Sequence, residues 1–327
     1  MKKKNKKAIA VYLDDSNKLQ IEFSWLYKTW ILNKLDEEWD LVVYYNPAAT
    51  ERVQSFHKVI AIPMKPIGMS DKYPFLNSHY FCKPPYNQAL LTYDYVLKTD
   101  CDVFLTHNLK NYDPGNKFHY GTGGFYSNDV KEEKAQINWI ANHLVPDIGK
   151  LSLPQGRILD LNYRFITSVG ASFLGKSSSV VSVTEWQSIL TEELLLNHFG
   201  KSTAMRVTPG GVPNQSGKHQ RVIGPNLAEG IASMIAGEII INSIYTQQHC
   251  NSWSLDTKCW EYTSLSSEVL HIHAWHTSQK FSKHDYFLGK YDDWIVHYDD
   301  RLKNCANYCQ WIATTPMSEI RKIAKNT

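Results

Sequence analysis

No stretch of this 327-residue chain reaches the roughly 18 consecutive apolar residues that a membrane-spanning helix requires. The N-terminus begins with a basic run (Lys2, Lys3, Lys4, Lys6, Lys7), but the apolar segment behind it, Ala8–Leu13, is too short for a signal-peptide core and runs directly into Asp14-Asp15. These absences point to a cytoplasmic protein, bacterial or in an infected host cell. Cysteine is scarce: Cys82, Cys101, Cys250, Cys259, Cys305 and Cys309 fit reduced thiols rather than a disulfide framework. Cys305 and Cys309 have helical spacing, yet two ligands fall short of the four that a structural zinc site takes. Charge of one sign is lacking too. The formal net charge is +3, and without the N-terminal lysines the body is near neutral, so nothing demands a nucleic-acid partner. Internal repeats are absent. The cluster Gly121-Thr122-Gly123-Gly124 lacks the spacing of a phosphate-binding loop and reads as a tight turn.

What is present is ample material for a core, with 43% hydrophobic residues. Ala8–Leu13, Leu41–Tyr45 and Val59–Ile62 are continuous apolar runs, the pattern of strands buried on both faces of a parallel sheet. Phe23, Leu26, Tyr27, Trp30 and Ile31 recur at helical spacing and predict an amphipathic helix over about 20–35. After Lys83-Pro84-Pro85, the residues Tyr86, Ala89, Leu90 and Tyr93 mark another apolar helical face, leading into a strand at Tyr95–Thr99. Further strands are expected at Ser168–Leu174 and Glu268–Trp275. Helices are expected around Trp186–Leu194 and over Asn226–Tyr245, with a long polar loop at Thr208–Pro225. Strand–helix alternation gives an α/β, Rossmann-like domain with a mostly parallel sheet. The expected division is a disordered basic N-terminus (1–7), one catalytic domain (8–284) and a helical C-terminal extension (285–327).

Two groups of residues carry chemistry. Asp100-Cys101-Asp102 ends the strand Tyr95–Thr99, and open α/β sheets bind ligands at the carboxyl ends of their strands. Two adjacent carboxylates repel each other, and a divalent cation such as Mg²⁺ or Mn²⁺ removes that repulsion while binding phosphate oxygens. The second group is His271, His273 and His276. Alternation places His271 and His273 on one face of their strand, and imidazoles near an acid pair would complete a metal site; spacing alone does not choose among the three.

The run Lys83-Pro84-Pro85 through Tyr95–Asp102 resembles the donor-site segment of GT-A glycosyltransferases. More narrowly it resembles the plant hydroxyproline O-arabinosyltransferase and peptidyl-serine galactosyltransferase group and related viral and microbial proteins. Glu22–Tyr27, Met234–Glu238 and His271–His276 resemble further blocks of that group, in the same order, over about residues 8–285. The resemblance implies a GT-A-like nucleotide-sugar-binding fold, a nucleotide-diphosphate donor (a UDP-sugar), Mn²⁺ (or Mg²⁺), and a late histidine joining Asp100 and Asp102 on the metal. By block position that histidine is His273, with His276 in reserve. Lys83, Lys98 and Lys280 are donor-phosphate candidates beside Asp100, and Tyr12 and Asn46, at strand ends, are candidates for the base. The resemblance also implies transfer with retention of configuration. Glu238, Asp256 and Glu268 are the carboxylates open to a role as base were transfer inverting.

The plant enzymes carry a membrane anchor that is not expected here, which opens the acceptor to a glycan, a protein or a hydroxymethylated base in phage DNA. Lys218, His219 and Arg221 in the polar loop would serve the DNA alternative. A nucleotidyltransferase, or a non-catalytic module binding sugar or nucleic acid, are the competing readings.

Overall fold

The computed structural model describes residues 5–207, 219–246, 250–251, 255–259, 265, 268–274, 281–292 and 296–326. Its strands in chain order are β1 (Lys7–Leu13), β2 (Trp39–Tyr45), β3 (Ile60–Pro63), β4 (Tyr95–Lys98), β5 (Val103–Leu105), β6 (Phe118–Thr122), β7 (Lys150–Ser152), β8 (Ile158–Asp160), β9 (Val169–Lys176), β10 (Met205–Val207), β11 (His219–Ile223), β12 (Leu227–Ala228), β13 (Cys250–Asn251), β14 (Thr257–Lys258) and β15 (His271–His273). A seven-stranded central sheet has the order β13-β6-β9-β4-β1-β2-β3. The block β4-β1-β2-β3 is parallel, β9 runs antiparallel to both β4 and β6, and β13 is parallel to β6. The architecture is α/β with a mostly parallel sheet, as the apolar runs imply.

The apolar runs of β1 and β2 are buried on both faces because successive side chains point to opposite sides, whereas β3, at the edge of the sheet, is largely exposed, against the expectation for Val59–Ile62. Ala8, Ala10, Tyr12, Val42 and Tyr44 enter one core, shared with the helices Ser177–Glu193 and Ala232–Ile244. Ile9, Val11, Leu13, Leu41 and Val43 enter the other, shared with Phe23, Leu26 and Trp30 of the helix Asn17–Leu32. That helix also presents Trp25 to a third core, where it meets Phe104 of β5, Ile272 of β15, Phe281, and the helices Cys305–Thr314 and Met317–Asn326. A single helix thus joins the central sheet to the C-terminal helices.

Three elements differ from the sequence expectation. The segment after Pro85 forms two short 3-10 turns, Tyr86–Gln88 and Leu90–Thr92, rather than an α-helix. The Tyr86 carbonyl accepts the Tyr44 hydroxyl (2.9 Å) and the Leu90 carbonyl accepts the Ser177 hydroxyl (2.6 Å), so tertiary donors meet carbonyls that a regular helix would bond internally. Part of the polar loop expected at 208–225 is β11, paired antiparallel with β10 and β12; residues 208–218, Lys218 among them, lie outside the described residues. The helix expected from Asn226 begins at Ala232, because Leu227 and Ala228 pair with β11 and Glu229 bonds Arg221 (3.0 Å).

Trp25 is fully buried, stacked on Phe104 (5.3 Å, 11° between planes) and met edge-on by Phe281 and Tyr286. Replacing it with alanine should destabilise the protein by about 3–5 kcal/mol in denaturant unfolding. A loss under about 1 kcal/mol would mean that this third core is not packed as described.

Candidate metal centre

β4 lies in the sheet between β1 and β9, and the chain leaves its carboxyl end as Thr99, Asp100, Cys101 and Asp102. The Cys101 thiol donates to the Tyr12 carbonyl (3.1 Å), which fixes the turn against the end of β1. β5 then departs from the main sheet and pairs antiparallel with β15, with Val103 opposite His273 and Leu105 opposite His271. The Ala274 amide donates to the Asp102 carbonyl (2.9 Å), extending the ladder by one residue and setting His273 beside Asp102. Asp100, Asp102 and His273 each offer one ligand atom, and these atoms lie within 4.8 Å of one another. His273 Nε2 is 3.2 Å from Asp102 Oδ1. His271 on the same strand is fully buried opposite Leu105 and faces Asp256 at 3.7 Å.

A ring of charge surrounds the three. Asp256 precedes β14 and is buried, with Oδ1 3.7 Å from His273 Nδ1; it accepts the Ser172 hydroxyl (2.7 Å) and amide (3.1 Å). A Cβ placed on Gly121 or Gly170 would stand 1.7 or 2.4 Å from Asp256 Oδ2, so the carboxylate is admitted only where two strands carry glycine. Gly121 is therefore part of β6, not of the tight turn read from the glycine cluster. Lys283 donates to Asp102 Oδ2 (2.5 Å) and lies 3.5 Å from Glu22. Lys98, fully buried, donates to the Ala171 carbonyl (2.8 Å) and lies 3.9 Å from Asp100 Oδ1.

These neighbours set the protonation states. Burial works to raise the Asp102 carboxyl, but Lys283 and then His273 outweigh it and hold the group well below the usual carboxylate range. Asp100 is raised, since burial is only partly offset by Lys98. Burial alone would lower His273, yet Asp102 and Asp256 lift it to about 9, so the ring takes a proton where the carboxylates demand positive charge. His271 is pushed by burial to about 4 and stays neutral. Two carboxylates and an imidazole with further anionic charge behind them suit a divalent metal that accepts oxygen and nitrogen ligands.

The other sequence candidates are dispersed. Tyr12 is buried at the end of β1, and its hydroxyl has no hydrogen-bond partner among the described residues. Asn46, at the end of β2, donates to Asp14 (3.0 Å) and accepts the Ala48 amide. Lys83 is bound to Glu192 (2.7 Å). Glu238 is fully buried, accepting the hydroxyls of Tyr126 and Tyr163 and the Val169 amide (3.2 Å). Glu268 is exposed and precedes β15 at the end remote from His273. His276 and Lys280 lie outside the described residues. Lys283 stands in no motif or spacing pattern that marks it for chemistry. Glu22 did carry a signal, an acid among the apolar positions of its helix (Phe23, Leu26, Trp30), where an unpaired charge is costly.

A family profile described as "Domain of unknown function (DUF7164)" matches residues 57–145 and 153–324. The chain belongs to this family. The match takes in β4, the acid pair, β15 and Lys283. No curated protein matches the chain. Among solved structures, the chain is similar to the apo structure of the bifunctional glycosyltransferase WbbM, with TM-score 0.45 and 11% identity over 98% of this chain. It spans about half of that protein, 52% of its length. It is also similar to the galactosyltransferase LgtC in complex with donor and acceptor sugar analogs, with TM-score 0.39 and 11% identity over 97% of this chain and 99% of that one. An active-site mutant of LgtC gives TM-score 0.40 and 13% identity over 90% and 99%. No helix among the described residues is long and apolar enough to cross a membrane.

The sealed Glu238 gives a pH prediction. Burial raises its pKa from 4.5 to about 7, against the hydrogen bonds from Tyr126, Tyr163 and Val169. Because the folded state holds this proton more tightly than the unfolded one, its contribution is full below about pH 4.5 and is lost as pH rises towards 7. Glu238→Gln should remove a fall of roughly 3 kcal/mol in unfolding free energy over that window. An unchanged slope in the variant, measured by urea unfolding at several pH values, would contradict the assignment.

Proposed function

We propose that the protein is a metal-dependent glycosyltransferase of the GT-A kind, moving a sugar from a nucleotide-diphosphate donor, a UDP-sugar, to a hydroxyl acceptor. The observation that carries this reading is the Asp100–Asp102–His273 cluster at the carboxyl ends of β1 and β4, the crevice where a mostly parallel sheet receives a nucleotide. Asp100, Asp102 and His273 would hold the metal, taken as Mn²⁺; once bound, it supplies positive charge against the departing diphosphate.

The chain's own residues divide the remaining work. Lys283 and Glu22 fix Asp102 in one orientation, and Asp256 does the same for His273, as carboxylates commonly do behind a metal-binding imidazole. Lys98 is sealed beneath Asp100, so it supports the carboxylate rather than meeting donor phosphates. Asn46, whose backbone amide donates to the Leu13 carbonyl at the end of β1 (3.0 Å), is the candidate for the donor's base, whereas the Tyr12 hydroxyl is sealed in the core and is given no donor role. Lys83 is given no donor role, since Glu192 holds its ammonium.

Retention of configuration is supported by the fate of the three carboxylates considered as bases. Glu238 is closed in by two tyrosines, Asp256 is locked against Ser172 and the glycines, and Glu268 lies at the far end of β15. In a front-face transfer the leaving phosphate takes the acceptor proton, and no protein base is required. The anomeric coupling of the product, read by NMR, should match that of the donor; an inverted product contradicts this.

The direct test is thermal unfolding with UDP, GDP and CDP, with and without Mn²⁺. A nucleoside diphosphate at about 100 times its Kd should stabilise the native state by about 2.7 kcal/mol, in the presence of Mn²⁺ only. Asp100→Asn, Asp102→Asn and His273→Ala should each abolish the metal-dependent shift while His271→Ala retains it. No shift with any of the three nucleotides would overturn the reading.

A further inference from the structure

A cavity of about 420 Å³ lies between the segment that follows β6 and the small sheet β10-β11-β12. Phe125, Tyr126, Asn128, Gln136, Arg206 and Gln220 line it. Resting on the glycosyltransferase reading, we propose that this cavity is the acceptor subsite and that it takes an uncharged saccharide.

The cavity's size falls in the range of small-ligand clefts, roughly 300–1,000 Å³. Its chemistry is that of hydroxyl recognition: four side-chain amides (Asn226 the fourth), which both donate and accept, stand beside two aromatic rings. Gln136 already accepts the Ser127 amide (3.0 Å), which leaves its NH₂ group to donate. The walls are held in place from behind. Asp129 caps the helix Val130–Trp139 through the amides of Lys131 (2.9 Å) and Glu132 (3.0 Å). Glu132 in turn accepts the Ser127 hydroxyl (2.7 Å) and the Asn226 amide (3.0 Å).

Charge selects against a polyanion. Among the described residues the lining carries Asp129 and Glu132 against the guanidinium of Arg206, and the hydrogen bonds from Ser127 and Asn226 hold Glu132 below its usual range, so that described lining is net negative at neutral pH. Arg221 on the neighbouring strand is taken up by Glu229 (3.0 Å) and the Tyr73 hydroxyl (2.5 Å), and so does not reach out to phosphates. A DNA backbone would be repelled where a neutral sugar is not.

The cavity is also built onto the metal centre. Tyr126 in its wall bonds the buried Glu238, Glu238 accepts the Val169 amide, and the adjacent Gly170 lies against the Asp256 carboxylate that faces His273. A ligand here would rest against Tyr126, which Glu238 ties to Val169 at the start of β9, the strand that carries Gly170 against Asp256.

The test is saturation-transfer NMR with the methyl glycosides of glucose, galactose, mannose and N-acetylglucosamine. It is run on the wild type and on Asn128→Ala and Gln220→Ala, with UDP–Mn²⁺ binding measured in parallel. At least one glycoside should bind the wild type, and its affinity should fall by about tenfold in each variant while UDP–Mn²⁺ binding is unchanged. The proposal is overturned if no glycoside binds a protein that binds UDP–Mn²⁺, or if both variants bind the glycoside as the wild type does. It is equally overturned if a duplex carrying hydroxymethylcytosine binds and loses affinity in these two variants. Glycoside binding that needs Asn128 and Gln220 in a protein that binds no nucleotide would uphold the saccharide site and sink the donor reading instead.

Discussion

The crowding of buried carboxylates at one end of the sheet is the constraint on which the rest depends. Asp102, Asp256 and Glu22 are buried and Asp100 lies beside them at the mouth of the cluster, half-buried, and charges so placed must be paired or neutralised. The fold meets this demand with Lys283, Lys98 and a protonated His273. Burial raises Glu22 to about 7 even with Lys283 beside it. Such an arrangement is costly as a purely structural device and is understandable as a place prepared for a doubly charged cation. The same demand explains the glycines of β6 and β9, which give up side chains so that Asp256 can come close behind His273.

The three cores serve this cluster. The two around the central sheet fix the ends of β1 and β4, and the third, organised by Trp25, fixes β5 against β15 and so the distance between Asp102 and His273. The helix Asn17–Leu32 contributes to both sides and carries Glu22, the acid that anchors Lys283. The C-terminal helices, although distant from the cluster in sequence, complete the core that holds β15 in register.

Much of this was legible in the sequence, for identifiable reasons. β1 and β2 are apolar runs, β4 is one up to Lys98, and the helix Asn17–Leu32 has an apolar face interrupted by Glu22, so local pattern and tertiary burial agree. The acid pair was visible because it interrupts such a run at its end. What was hidden depends on partners far along the chain. The 3-10 turns after Pro85 follow from hydroxyls of Tyr44 and Ser177, and β11 is a polar strand whose pairing with β10 and β12 leaves no apolar alternation to read. Within the cluster, the difference between His271 and His273 is a matter of register: two residues along β15 exchange Leu105 for Val103 as the opposite residue, and only the latter adjoins Asp102. Lys283 reaches Asp102 across 181 positions, a contact that no local spacing records.

The central claim is that Asp100, Asp102 and His273 together hold one divalent metal, and the most direct measurement is pulsed EPR on the Mn²⁺-loaded protein. One bound Mn²⁺ should show modulation from a single imidazole nitrogen, which disappears in His273→Ala and persists in His271→Ala. Bound Mn²⁺ without a nitrogen signal, or a signal unchanged in His273→Ala, would contradict it.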